Sequence, residues 1–163
     1  MPGDTVMPGD PVMPGDAVMP GDIGSRADLE QLLRRFYAAA FADPLIGRYF
    51  TEVAAMDLEA HLPRITDFWA SSLLRAAEYR RNLFAPHAAL HAREPLTAAH
   101  YGRWVQLWAA AVDGRHQGPV AERAKSQAQR IARTLIRRTT GEDPGTGGPG
   151  GFVPLSALLL RST

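Results

Sequence analysis

FYAAAFADPLIGRYF, residues 36–50, is the stretch on which the reading of this chain turns. Its first half completes an apolar stripe. Leu29, Leu32, Leu33, Phe36, Tyr37, Ala40 and Phe41 recur at intervals of three and four, the pattern of an amphipathic helix. Asp43-Pro44 predicts the end of that helix, because the residue before proline is pushed out of the helical region. Phe50 then follows Tyr37 by 13 residues, across the helix stop.

Working outward, His61, Ile65, Phe68, Trp69 and Leu73 form a second stripe, with Pro63 expected in the first turn, where proline is tolerated. Tyr101, Trp104, Val105, Trp108 and Val112 form a third, with Thr97 as its N-cap after Pro95. Val120, Ala124, Ala128, Ile131 and Leu135 form a fourth, set off from the third by Gly114 and Gly118. Residues 80–95 are mixed and predict at most a turn or two of helix around His87. No segment alternates long enough to predict a strand. The expected fold is all-α, with four main helices in two antiparallel pairs.

The chain has 163 residues, enough for one domain around one core. Net charge is +1, so nothing electrostatic argues for nucleic acid as a partner. Cysteine is absent, which excludes disulfides, iron–sulfur clusters and thiolate-ligated haem, and suits a reducing cytoplasm. The start lacks a signal-peptide pattern, and no apolar run approaches the roughly 20 residues of a membrane span.

Both ends read as lying outside the core. Residues 1–24 repeat a six-residue unit, MPGDTV, MPGDPV, MPGDAV, MPGDIG, and are expected to be a disordered leader, since Pro-Gly favours turns and each unit offers little apolar surface. Each unit begins with Met, so Met7, Met13 or Met19 are alternative starts. Residues 141–163 are expected to be a flexible tail: a Gly/Pro-rich linker, then the apolar FVPLSALLL. The domain is expected at 25–140.

Within it, Tyr37, Phe50, His61, Trp69 and His87 stand out. His61 follows Phe50 by 11 residues, Trp69 follows His61 by 8, and His87 follows His61 by 26. Two histidines flanking an aromatic, cysteine-free pocket suit a haem: one imidazole binds the iron and the other side stays open for a small ligand. Each residue has a plainer reading. His87 alone is most often a surface residue, and His91, four residues on, competes with it. A zinc pair lacks a third ligand, and Ala88 stands where zincin chemistry needs Glu. His61 faces either the ligand or solvent. Tyr37 and Trp104 lie on core stripes, where packing alone explains them, although a buried phenol or indole needs a hydrogen-bond partner. His100 and His116 read as exposed. Arg64, Arg80, Arg81 and Arg103 read as a solvated face within reach of haem propionates.

Taken in order, FYAAAFADPLIGRYF at 36–50, HLPRITDFWASSLL at 61–74 and EYRRNLFAPHAALHAREPLTAAHYGRWVQLW at 78–108 resemble the truncated haemoglobins, most of all group III, over about residues 26–135. The resemblance implies a truncated-globin two-over-two helical sandwich. It implies haem b held by His87 as a five-coordinate iron. Tyr37, His61 and Trp104 would then face the ligand, Phe50 would wedge against the haem, and Ile65, Phe68 and Trp69 would wall the pocket. One departure stands out, while a second feature is what group III implies. Arg81-Asn82-Leu83 replaces the glycine and proline that usually precede the proximal segment, and the glycine-glycine hinges of other groups are absent.

Two function classes follow. One is a haem protein binding O₂, NO or a related diatomic. Its hydroxyl and indole donors suit tight holding and NO or peroxide chemistry, with electrons from a separate reductase. The other is a haem-free helical protein-interaction module. Colour separates them, since only the first absorbs as haem does. No nucleic acid and no membrane are expected as partners.

Overall fold

Ser25 and Asp28 cap the first helix reciprocally: the Asp28 N–H donates to the Ser25 hydroxyl at 3.1 Å, and the Ser25 N–H donates to the Asp28 carboxylate at 3.0 Å. From this start α1, Arg26–Ala42, buries Leu29, Leu32, Leu33, Phe36, Tyr37 and Ala40, the face its periodicity predicts. It ends at Asp43, whose backbone is extended as the following proline requires. The computed structural model describes residues 20–74 and 84–141.

Asp43 organises the turn after α1. Its carboxylate accepts the N–H groups of Leu45 at 3.0 Å and Ile46 at 3.1 Å. Gly47 follows because a Cβ there would lie 2.5 Å from the Phe41 carbonyl oxygen. The chain then makes a π-helical turn, Tyr49–Val53, which the sequence pattern did not predict. Such turns are rare and often found at functional sites. The Tyr49 hydroxyl donates to the Pro95 carbonyl at 2.8 Å, tying this turn to the segment before a later helix.

The second helix, α2, spans Leu58–Leu73 and is capped by Asp57, which accepts from the N–H groups of Glu59 and Ala60. It begins before His61, so Pro63 lies in the second turn and not the expected first. The Thr66 hydroxyl donates to the Leu62 carbonyl at 2.7 Å, so this buried polar group is satisfied within the helix. Around His87, α3 is Phe84–Arg93, ten residues, longer than expected. Next come α4, Ala98–Asp113, with Thr97 at its N-cap, and α5, Pro119–Thr140. Five α-helices, not four, are present among the described residues, with no strand.

The two-over-two arrangement holds. α1 packs on α2 and on α4, α4 lies along α5, and α3 rests on α5 and the π turn. The main core joins α1, α2 and α4 through Phe36, Trp69, Leu73, Trp108 and Val112. A second core, built from Tyr49, Leu96, Tyr101, Val105, Leu135 and Ile136, fills the space between the π turn, α4 and α5. Burying each large apolar side chain contributes about 1.5–3 kcal/mol.

Asp22 and Ile23, from the last repeat unit, pack on the domain. Ile23 is 1% exposed, and the Asp22 carboxylate accepts the N–H groups of Val120 and Ala121, both at 2.8 Å. Asp22 therefore caps α5 from the far end of the sequence. Folded structure thus begins ahead of the expected boundary at residue 25. The expectations for residues 1–19 and 142–163 lie outside the described residues. Among those described, no helix is long and apolar enough to cross a membrane.

Candidate haem pocket

Tyr37, Phe50 and His61 come from three different elements and meet. The Tyr37 ring centroid lies 5.9 Å from Phe50 at 86° and 6.2 Å from His61 at 89°, both edge-on. Phe41 closes the group, 5.8 Å from Tyr37 and 5.7 Å from Phe50. The helical stripe of α1 points Tyr37 inward. The π turn brings Phe50 back towards it, and the Asp57 cap sets where α2, and so His61, begins.

The Tyr37 hydroxyl is the unusual atom. The side chain is 5% exposed, yet its hydroxyl makes no hydrogen bond among the described residues. Burial alone pushes its pKa up. No side-chain polar atom among the described residues is both sealed from solvent and unpartnered, so this hydroxyl opens onto water-sized space. A phenol placed in this way can donate to an acceptor that the described residues do not provide.

His61 is half-buried. Burial, then the charges of Arg64 and His87, hold its pKa below the ordinary histidine value. The imidazole is therefore neutral at pH 7. The influence of His87 places the two histidines, on α2 and α3, within electrostatic reach of each other. His87 is itself half-buried.

Trp104 is half-buried and packs edge-on against Phe36 at 6.1 Å, and Phe36 lies 5.0 Å from Tyr37. Ile65 and Phe68 are also half-buried against the main core. Trp69, expected in the pocket wall, lies deep in the core. It is 2% exposed, stacked on Trp108 at 4.3 Å and edge-on to Phe68 at 5.3 Å. Its described ring contacts are with these two residues, not with Tyr37, Phe50 or His61.

His91, the competitor of His87, and His100 both make hydrogen bonds within the chain. His91 Nδ1 accepts the Leu96 N–H at 2.9 Å, which fixes that ring at the end of α3. His100 is half-buried, not exposed. Its Nδ1 accepts the Thr97 N–H at 2.9 Å, and its ring meets Tyr49 edge-on at 4.9 Å. Arg103, read as part of a solvated face, donates from Nε to Asp43 at 2.7 Å. Arg80 and Arg81 lie outside the described residues. Among those described, no three His, Asp or Glu side chains gather as a metal cage.

Haem fits what is present. Phe41, Phe50, Ile65, Phe68 and Trp104 are apolar side chains left partly uncovered at the edge of one core. A hydroxyl with no partner among the described residues lies beside them, and histidines on α2 and α3 lie within electrostatic reach of each other. A porphyrin would cover the apolar edges and supply four metal donors, leaving one histidine to complete the set.

No protein-family model matches the chain, and no curated protein sequence matches it. Among solved structures, its fold matches the crystal structure of the group III truncated hemoglobin from Campylobacter jejuni, with a TM-score of 0.66 at 20% sequence identity. The match covers 79% of this chain and 100% of that one. At this identity the likeness is one of fold. It agrees with the architecture that the sequence motifs imply.

Proposed function

We propose that this chain, folded as a truncated globin, binds haem b, with His87 as the iron ligand. In this reading Tyr37, His61 and Trp104 face a diatomic ligand, O₂ or NO. The observation that carries it is the Tyr37 hydroxyl, buried and without an acceptor among the described residues, beside Phe50 and His61.

Bound haem would supply an iron that takes the ligand and exchanges electrons. The rest of the chemistry belongs to the chain. Tyr37 donates its hydroxyl hydrogen to a ligand atom that gains negative charge, and the Trp104 indole N–H is a second donor to it. Each such bond is worth roughly 1–3 kcal/mol in a dry site, about one to two decades in ligand release. Phe50 and Phe41 line the Tyr37 side with apolar rings. His61, neutral and half-exposed, can pass a proton between solvent and the pocket edge.

Tight holding argues against oxygen transport and for redox turnover: NO oxidised to nitrate, or peroxide reduced, with a reductase supplying electrons in the cytoplasm. Trp69 supports the pocket from behind in this reading, through Phe68.

Haem retention after gel filtration tests the ligand assignment. His87→Ala should lose haem, while His91→Ala, whose ring is engaged with Leu96, should keep it. Equal retention by the two variants would overturn the assignment.

A further inference from the structure

The Trp69–Trp108 stack lies outside the pocket chemistry. The two ring centroids are 4.3 Å apart and the planes are within 17°, so the π systems overlap. Neighbouring rings meet them edge-on: Phe36 with Trp108 at 77°, and Phe68 with Trp69 at 77°. Both indoles are buried, 2% and 1% exposed.

Indole is the side chain that most readily gives up an electron without first losing a proton. Two overlapping indoles share the resulting positive charge, which is more stable over two rings than on one. Trp108 Nε1 donates to the Ala124 carbonyl at 3.1 Å. That oxygen places the negative end of a dipole beside the ring, but it is too weak a base to take the proton, so an oxidised pair remains a cation. Tyr37 is the opposite case. Its oxidation must release the hydroxyl proton, and no described residue accepts a hydrogen bond from it.

Phe36 joins the two regions. Its centroid lies 5.0 Å from Tyr37, 6.1 Å from Trp104 and 5.4 Å from Trp108. The stacked pair is therefore one ring removed from both pocket donors, a short distance for electron tunnelling.

We propose that Trp69 and Trp108 form a one-electron donor site that draws oxidising equivalents away from Tyr37 and Trp104. In each event the pair loses one electron and the oxidant gains it. No bond forms or breaks in the protein, and no proton leaves. The site rests on the indole geometry alone. Its physiological oxidant, a haem site that has given two electrons to a peroxide and recovers them one at a time, rests on the haem reading.

Pulse radiolysis of the full chain, with the azide radical as one-electron oxidant, tests the site before any haem is added. The expected signal is the near-infrared charge-resonance band of an indole-dimer cation, retained in Trp104→Phe and lost in Trp69→Phe and Trp108→Phe. Should either phenylalanine variant fail to fold, the unsubstituted chain still decides the matter. With ring-deuterated tryptophan, electron paramagnetic resonance should show hyperfine coupling divided between two rings. A radical confined to one ring, or residing on tyrosine, overturns the proposal. In haem-loaded protein treated with hydrogen peroxide, the same divided signal supports the protective role, and a Tyr37 radical overturns it. A chain that takes up no haem leaves the azide result standing, so the two readings fail separately.

Discussion

Arg103 Nε donates to the Asp43 carboxylate at 2.7 Å, and this contact joins the end of the helix that carries Tyr37 to the start of the helix that carries Trp104. Asp43 is 2% exposed at its side chain and also accepts two backbone N–H groups, while Arg103 is 41% exposed. Asp43→Asn should destabilise the fold by about 1–3 kcal/mol, because the turn loses its charged acceptor while Arg103 keeps access to water. Urea denaturation measures this. An unchanged midpoint would show that the contact does not hold the helices together.

Acid should act on the same carboxylate and on two others. Burial would raise Asp43 and Asp22. For Asp43 the Arg103 hydrogen bond and the Ile46 and Leu45 N–H groups outweigh it; for Asp22 the N–H groups of Val120, Ala121 and Ile23 do, and both fall below the ordinary aspartate value. Asp28 is lowered by the Gly24 N–H and by Ser25. A depressed folded pKa gives stability that is fully present above the unfolded value of about 3.9 and is lost as pH falls through the folded value. Melting temperature should therefore hold down to about pH 5 and fall below about pH 4, with a shallower fall in Asp43→Asn. A steep loss already at pH 6 would point to histidine instead.

The join between Asp22 and α5 gives a paired test. Gly118 has φ +144°, and a Cβ there would lie 2.6 Å from the Asp22 carboxyl carbon. Asp22→Ala should cost about 1–2 kcal/mol, the usual value of a lost cap. Gly118→Ala should cost at least as much, through backbone strain and displacement of Asp22. The double variant should fall short of the sum, since both remove one cap. Full additivity in thermal or urea unfolding would contradict this.

The sequence revealed what local rules control. Asp43-Pro44 marks the end of α1 because the proline clash is a property of two adjacent residues, and Thr97 marks the start of α4 for a similar reason. The Tyr37–Phe50–His61 cluster was legible as spacing, although the π turn that aims Phe50 was not. What escaped was long-range. Asp22 bonds a residue 98 positions away, and Arg103 one 60 positions away, and no stripe or cap signal encodes such partners. The stacking of Trp69 on Trp108 is set by how two helices meet, which the spacing along either helix does not encode.

Tyr37→Phe separates ligand chemistry from packing. Its hydroxyl makes no hydrogen bond among the described residues, so its removal should leave the stability of the haem-free chain unchanged or raised. In the haem-loaded protein the same change should speed oxygen release by roughly one to two decades, as should Trp104→Phe to a lesser degree. Stopped-flow dissociation reads the rate. Unchanged release in both variants would remove the case for redox turnover.

The central claim is that this fold holds haem through His87. Its most direct test is optical titration of the full chain with haem, followed by spectra of the ferric, ferrous and CO forms. The account predicts a sharp Soret band that saturates at one equivalent, a five-coordinate ferrous spectrum that shifts on CO addition, and loss of saturation in His87→Ala. Absorbance that stays that of free haem and climbs without a break past one equivalent would contradict it.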